Sequence, residues 1–167
     1  IGVKIAPDTF AAMDYHLDWL YAALKLSDEG TESDGHWETP DNVATGKQLD
    51  TDLLVTFNDG NRTHVVMVEA KAKGAWDNKQ MMNKVSRLIE IFGDDGDRWP
   101  NVTPHWVLMS PHQEHQYKMN YWSQWMKKTE NPDEPYWIGL PVPDRLSSLH
   151  QSDESGKPKA RGEWFIV

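Results

Sequence analysis

Residues 48–73 read QLDTDLLVTF NDGN RTHVVMVEAKAK, and the rest of the chain is arranged around them. Positions 49–57 and 63–72 are rich in Val, Leu, Thr and Phe. Between them Asp59-Gly60 sits in an Asn-Asp-Gly-Asn turn, the strongest short-range signal for a β-hairpin. With the turn centred on Asp59-Gly60, Phe57 is expected opposite Arg62, Leu54 opposite Val65 and Asp50 opposite Glu69. Side chains alternate along a strand. Asp50 and Asp52 therefore share a face with Met67, Glu69 and Lys71, at the end of the hairpin far from its turn. A turn one residue longer or shorter would flip one strand and scatter the group.

Three carboxylates on one face repel each other unless a cation joins them. Hard oxygen ligands with open positions suit Mg²⁺, with Mn²⁺ as a substitute. A solvated edge strand with a Glu69–Lys71 salt bridge would look the same locally. Context favours the metal. Val65, Val66, Met67 and Val68 make both faces of the second strand apolar, which marks it as central and buried. Charges at the end of such a strand are costly unless paired or bound to a cation.

Asp52 followed by Leu-Leu-Val, a hairpin and then VVMVEAK resembles the PD-(D/E)xK nuclease superfamily, the restriction-endonuclease-like fold. Asp52, Glu69 and Lys71 match its Asp…Glu-x-Lys signature. Thr51 stands where the pattern often has proline. The resemblance implies a three-layer α/β/α sandwich with a mixed central sheet, spanning 1–167 as a single domain. It also implies a Mg²⁺-dependent endo- or exodeoxyribonuclease that hydrolyses phosphodiester bonds of nucleic acid, with DNA the expected polymer. On this reading Asp52 and Glu69 hold the metal, with the Ala70 carbonyl as a third oxygen. Lys71 orients or deprotonates water, or neutralises the pentacovalent phosphate. Gln80 steadies the phosphate or the water. Asp50 is an accessory carboxylate or competes with Asp52 for the metal. A further acid, Asp14 or Asp18 of the first helix, Glu38 of the following loop, or Asp50, would complete the site. The other reading of Asp14, Asp18 and Glu38 is that they are solvated acids on an exposed face and in an acidic loop. Double-strand cutting would imply a homodimer.

Outside the hairpin, Phe10, Met13, Leu17, Leu20, Tyr21 and Leu24 keep helical spacing, which predicts a first helix over 8–26 with Asp8 as N-cap. Residues 27–47 are polar and acidic and read as a loop. Asp77 with Gln80 three residues on predicts a capped helix that buries Met81, Val85, Leu88, Ile89 and Phe92. Gln80, Lys84 and Arg87 form another stripe on it. Lys71, Lys73, Lys79, Lys84 and Arg87 make 71–87 the most basic stretch, a candidate face for a phosphodiester backbone. The bland alternative is that Gln80 only caps and the lysines are solvated. Trp106 to Met109 reads as a buried strand. Ser110, Pro111 and Gln113 signal a further helix to about Lys128. YWIGLPV and GEWFIV read as short strands, with 144–160 a loop between them. His112 and His115 have no acid partner in the pattern. Trp37 and Trp76 lie near the site, where they could stack on bases or sugars.

The chain of 167 residues has no cysteine, which excludes disulfides and thiolate metal sites and fits a cytoplasmic setting. No apolar run reaches membrane length and no signal-peptide pattern is present, so no membrane partner is expected. Its first residue is Ile1, so the start is expected to be trimmed or part of a larger chain. The net charge of −9 is awkward for a nucleic-acid binder, so any such face must be locally basic. This charge keeps an alternative open, a catalytically inactive domain of the same fold acting as a protein- or nucleic-acid-binding module. A carbohydrate-binding or carbohydrate-active domain would also use exposed Trp and paired carboxylates, but would not need a lysine two residues from the acid.

Overall fold

The computed structural model describes residues 4–29, 43–44, 46, 49–72, 76–113, 118–141, 150–155, 157 and 164–166. The hairpin is present as β2 (Asp50–Asn58) and β3 (Thr63–Ala70). Asp59 builds its turn: Oδ1 accepts from the amides of Asn61 and Arg62, each at 2.8 Å. Gly60 takes a φ of 98°, which a residue with a Cβ adopts only under strain. The loop has four residues, Asp59 to Arg62, so Asn58 pairs with Thr63 and Leu53 with Val68. The expected register is thus displaced by two residues. An even displacement leaves every side chain on its face.

On either side of the hairpin lie β1 (Phe10–His16) and β4 (Val102–Ser110), and β5 (Tyr136–Gly139) follows β4. The order is β1-β2-β3-β4-β5. β2 runs antiparallel to both β1 and β3, whereas β4 runs parallel to β3 and β5 parallel to β4. The protein is therefore α/β with a mixed five-stranded sheet. The apolar second strand of the hairpin is its centre.

Helices α1 (Leu17–Glu29) and α2 (Asn78–Phe92) supply the helical layer. Leu17, Leu20, Tyr21 and Leu24 of α1 meet Met81, Val85, Leu88, Ile91 and Phe92 of α2 over Leu54, Val65, Met67, Trp106 and Leu108 of the sheet. Both helices thus serve one core, on the face that also carries Asp52 and Glu69. The second helical layer of a three-layer sandwich is not present among the described residues. On the opposite face Phe57, His64, Val68 and Val107 are buried outside this cluster.

Three expectations need correction. The first helix does not begin at Asp8: Phe10–His16 is an edge strand paired to β2. Phe10 and Met13 continue the helical spacing of Leu17 and Leu20 by coincidence, and Met13 is 77% exposed. Pairing with β2 outweighs the weak local preference. Nor is the helix from Ser110 to Lys128 present among the described residues. Its described part is irregular, with one short 3-10 turn, Gln124–Met126. Ser110 does not cap a helix; its hydroxyl donates to the His112 carbonyl and accepts from Trp137 Nε1 at 2.9 Å. Trp122 and Met126 still bury their side chains in the core. Finally, β6 (His150–Ser152) lies within the expected loop and pairs with β7 (Trp164–Ile166) in a separate two-stranded sheet.

Candidate functional site

The β2–β3 ladder ends at Leu53–Val68, but neither strand ends there. Asp50 and Thr51 stay paired with β1, while Glu69 and Ala70 stay paired with β4. The sheet therefore forks, and two backbone groups at the fork take side-chain partners. The Thr51 hydroxyl donates to the Val68 carbonyl at 3.0 Å. The Ala70 amide donates to Asp52 Oδ2 at 2.6 Å. A buried backbone carbonyl must be paired, so Thr51 is what allows the strands to part at Val68, and Asp52 takes up the more exposed Ala70 amide beside it. Thr51, in the position where the pattern often has proline, is fully buried in this role.

A cavity of about 160 Å³ opens at the fork, lined by Asp52, Glu69, Ala70, Lys71, Trp76, Asp77, Gln80, Met81 and Lys84. All five site residues expected from the sequence, Asp52, Glu69, Ala70, Lys71 and Gln80, are among them. Asp52, Glu69 and Lys71 arrive by strand alternation, and α2 brings Gln80 over the fork. Asp77 caps α2 through Oδ1, which accepts from the Lys79 amide at 2.7 Å and the Gln80 amide at 3.2 Å. These two amides, Gln80 first, hold the Asp77 carboxyl below the usual range. The Gln80 side chain takes no part in the cap and faces the cavity.

Glu69 and Lys84 form a buried ion pair, with exposures of 7% and 5%. Burial pushes the Glu69 carboxyl up, Lys84 pulls it down, and nearby Asp52 adds to the rise. Among the described residues Lys71 makes no ion pair, and Glu69 is tied to Lys84 rather than to it. Each acid consequently has one oxygen engaged, Oδ2 of Asp52 and Oε2 of Glu69. Lys84 was legible only as a member of a basic stripe; nothing local to it names Glu69 as partner.

That basic stripe is not a free phosphate-binding face. Lys84 points inward to Glu69, and Arg87 is buried between Asp18 and Glu90. Lys71 and Lys79 remain toward solvent, and Lys73 lies outside the described residues. The accessory acids are corrected likewise. Asp18 is spent on structure: Oδ1 accepts from Arg87 and Oδ2 from the Gly46 amide at 2.8 Å. Asp14 falls between the pairs Met13–Leu53 and Tyr15–Thr51, opposite Asp52, with a φ of 50°. Neither Asp14 nor Asp50 lines the cavity. Glu38, Trp37 and His115 lie outside the described residues, and His112 is exposed. Trp76 does line the cavity.

No group of three or more His, Asp or Glu side chains suited to a metal ion occurs among the described residues. The cavity instead offers the carboxylates of Asp52 and Glu69, with Asp77 at its rim engaged in the α2 cap, and the backbone of Ala70, all hard-oxygen groups, which fit a small divalent ion. Its formal charge points the same way. Asp52, Glu69 and Asp77 against Lys71 and Lys84 give 2 − 3 = −1, which repels a phosphate; one divalent cation turns this to +1.

A second polar chain lies at the opposite end of the hairpin. Asp59 Oδ2 meets His64 Nε2 at 3.0 Å, and His64 Nδ1 meets His105 Nε2 at 2.9 Å. The Arg62 amide, His64 and the Asn61 amide hold Asp59 far below the usual carboxylate range. Burial, then the neighbouring His64, lowers His105 to about 4. The sequence hid this chain, because its members come from a turn and two strands.

No helix among the described residues is long and apolar enough to cross a membrane. Comparison of the chain with protein-family models, with curated proteins and with solved structures gave no match.

Proposed function

We propose that this protein is a divalent-cation-dependent phosphodiesterase acting on nucleic acid, with DNA the expected polymer, built on a restriction-endonuclease-like core. The observation that carries the reading is the convergence of Asp52, Glu69, Ala70, Lys71 and Gln80 on one cavity at the fork. After the edge strand β1, the run α1, β2–β3, α2, β4 follows the helix, hairpin, helix, strand order read from the sequence.

Asp52, Glu69 and the Ala70 carbonyl would hold Mg²⁺ or Mn²⁺. Such an ion supplies Lewis-acid polarisation of the phosphodiester and acidifies water beside it. The chain's own groups do the rest. The Asp52 carboxylate is fixed by the Ala70 amide and the Glu69 carboxylate by Lys84, so neither must reorganise as charge develops. Lys71, without an ion pair among the described residues, lines the same space. Its ammonium neutralises the added negative charge at phosphorus, or its amine takes a proton from the attacking water. The Gln80 amide donates to a phosphate oxygen.

The test is cleavage of plasmid and single-stranded DNA with Mg²⁺, Mn²⁺ or EDTA. Asp52→Asn, which keeps an acceptor for the Ala70 amide, and Lys71→Ala should each lose about 10²–10³-fold or more in rate while remaining folded. Full activity in either variant overturns the assignment.

One observation favours a second reading. The Lys84–Glu69 pair neutralises one of the two acids without a cation. A catalytically inactive module of the same fold, binding protein or nucleic acid, would look like this. Absence of Mg²⁺ or Mn²⁺ binding in calorimetry would select it.

A further inference from the structure

We infer that the cavity takes one divalent cation per chain, and that the Lys84 ammonium occupies the place where a second cation would bind. The inference rests on the phosphodiesterase reading and goes beyond it. It stands on two independent features, ligand supply and charge.

A pair of metal ions a few ångströms apart needs carboxylate oxygens on both sides. Here each acid has one oxygen already committed. Asp52 Oδ2 accepts from the Ala70 amide at 2.6 Å, a bond that also closes the end of the β2–β3 ladder. Glu69 Oε2 accepts from Lys84 Nζ inside the protein. Moving Asp52 to bridge two ions would break its bond to the Ala70 amide. Displacing Lys84 would leave the ammonium of a buried lysine without its partner. Of the acids that could supply further oxygens, Asp77 lines the cavity but spends Oδ1 on the α2 cap, Asp18 is bound to Arg87, and neither Asp14 nor Asp50 lines the cavity.

Charge gives the same answer. The lining groups sum to −1, so one divalent ion makes the site +1 and matches the single negative charge of a phosphodiester. Two ions would make it +3. Lys84 already delivers a positive charge to the far oxygen of Glu69, and does so from a helix position fixed by packing between Met81 and Leu88. It is a positioning residue: it holds Glu69 with one oxygen presented, and it excludes a second ion.

The experiment is titration of the metal-free full chain with Mn²⁺ at pH 7.5, read by calorimetry and by electron paramagnetic resonance of the free ion. Wild type should bind one ion at the site, and Asp52→Asn should lose it. Lys84→Met removes the ammonium and should raise the stoichiometry from one to two, whereas Lys84→Arg should stay at one. Two ions on wild type would overturn the inference and leave the phosphodiesterase reading standing. One ion on folded Lys84→Met would show that Lys84 is not what excludes the second, with the same consequence. No ion on wild type would overturn the phosphodiesterase reading itself. Circular dichroism checks each variant. Should Lys84→Met not fold, Lys84→Gln, which keeps a polar partner for Glu69, carries the same expectation of two.

Discussion

Replacing Lys84 by methionine leaves Glu69 buried next to Asp52 with its main counter-charge gone. Burial already raises the Glu69 carboxyl, and Lys84 is the strongest influence opposing that rise. Without it, and with no cation in its place, the least costly state of Glu69 at neutral pH is the protonated one. An ordinary glutamate titrates at 4.5. Holding the proton at pH 7 then costs about 1.4 kcal/mol for each of about 2.5 pH units, roughly 3.4 kcal/mol. Breaking a buried ion pair by removing one partner costs about 3–5 kcal/mol in general, so the two estimates agree. For a chain of this size, about 2–4 °C of Tm per kcal/mol translates this into a drop of about 7–14 °C. The pH dependence carries the sign. A carboxyl raised in the folded state binds its proton more tightly there than in the unfolded chain. Its contribution is fully present below the unfolded value near 4.5 and is lost as pH rises through the folded one. The Lys84→Met deficit should therefore be near zero at pH 4.5 and grow toward pH 7. Glu69→Gln combined with Lys84→Met should recover most of it. The assay is urea unfolding in EDTA at pH 4.5, 5.5, 6.5 and 7.5. A deficit independent of pH, or one below about 1 kcal/mol at pH 7.5, would refute the reasoning.

Three other outcomes follow from the same structure. His105 is lowered to about 4, so its contribution is fully present above the unfolded value of 6.5 and lost as pH falls through about 4. His105→Gln should flatten the acid limb of the stability profile by up to about 3 kcal/mol, read by urea unfolding between pH 4 and 7. Gly96 has a φ of 72°, and a Cβ there would meet the Trp125 ring at 2.9 Å. Gly96→Ala should cost about 2 kcal/mol in thermal unfolding, and an unchanged Tm would contradict the contact. Thr51→Val keeps the volume but leaves the buried Val68 carbonyl without its hydroxyl donor, so about 1–3 kcal/mol should be lost, with amide exchange accelerating first at the fork.

The parts of the fold that were legible in the sequence are those decided locally. The hairpin announces itself because Asp59 and Gly60 make the turn with their own backbone and side-chain bonds. The site was legible because alternation alone places Asp52, Glu69 and Lys71 on one face, and a register displaced by two residues does not disturb parity. The α2 cap at Asp77 is equally local. What stayed hidden was set by distant partners. Nothing between Phe10 and His16 states that β2 lies alongside, so a helical period ran unchecked across a strand. The inward turn of Lys84 and Arg87 depends on Glu69, 15 residues away, and Asp18, 69 residues away. On the sequence alone those side chains look like a solvated basic stripe. After β4, a genuine helix-start signal at Ser110-Pro111 lost to Trp137, which claims the serine hydroxyl from the neighbouring strand.

The bond from the Ala70 amide to Asp52 turns a feature of the sheet into a spectroscopic handle. An amide proton donated to a carboxylate oxygen 2.6 Å from its nitrogen is expected to resonate downfield of an ordinary amide. Any ligand that draws on the other oxygen of that carboxylate must pull density from the shared proton. The Ala70 resonance therefore reports occupancy of the cavity in real time, from the backbone, with no label placed in the cavity and no substrate present.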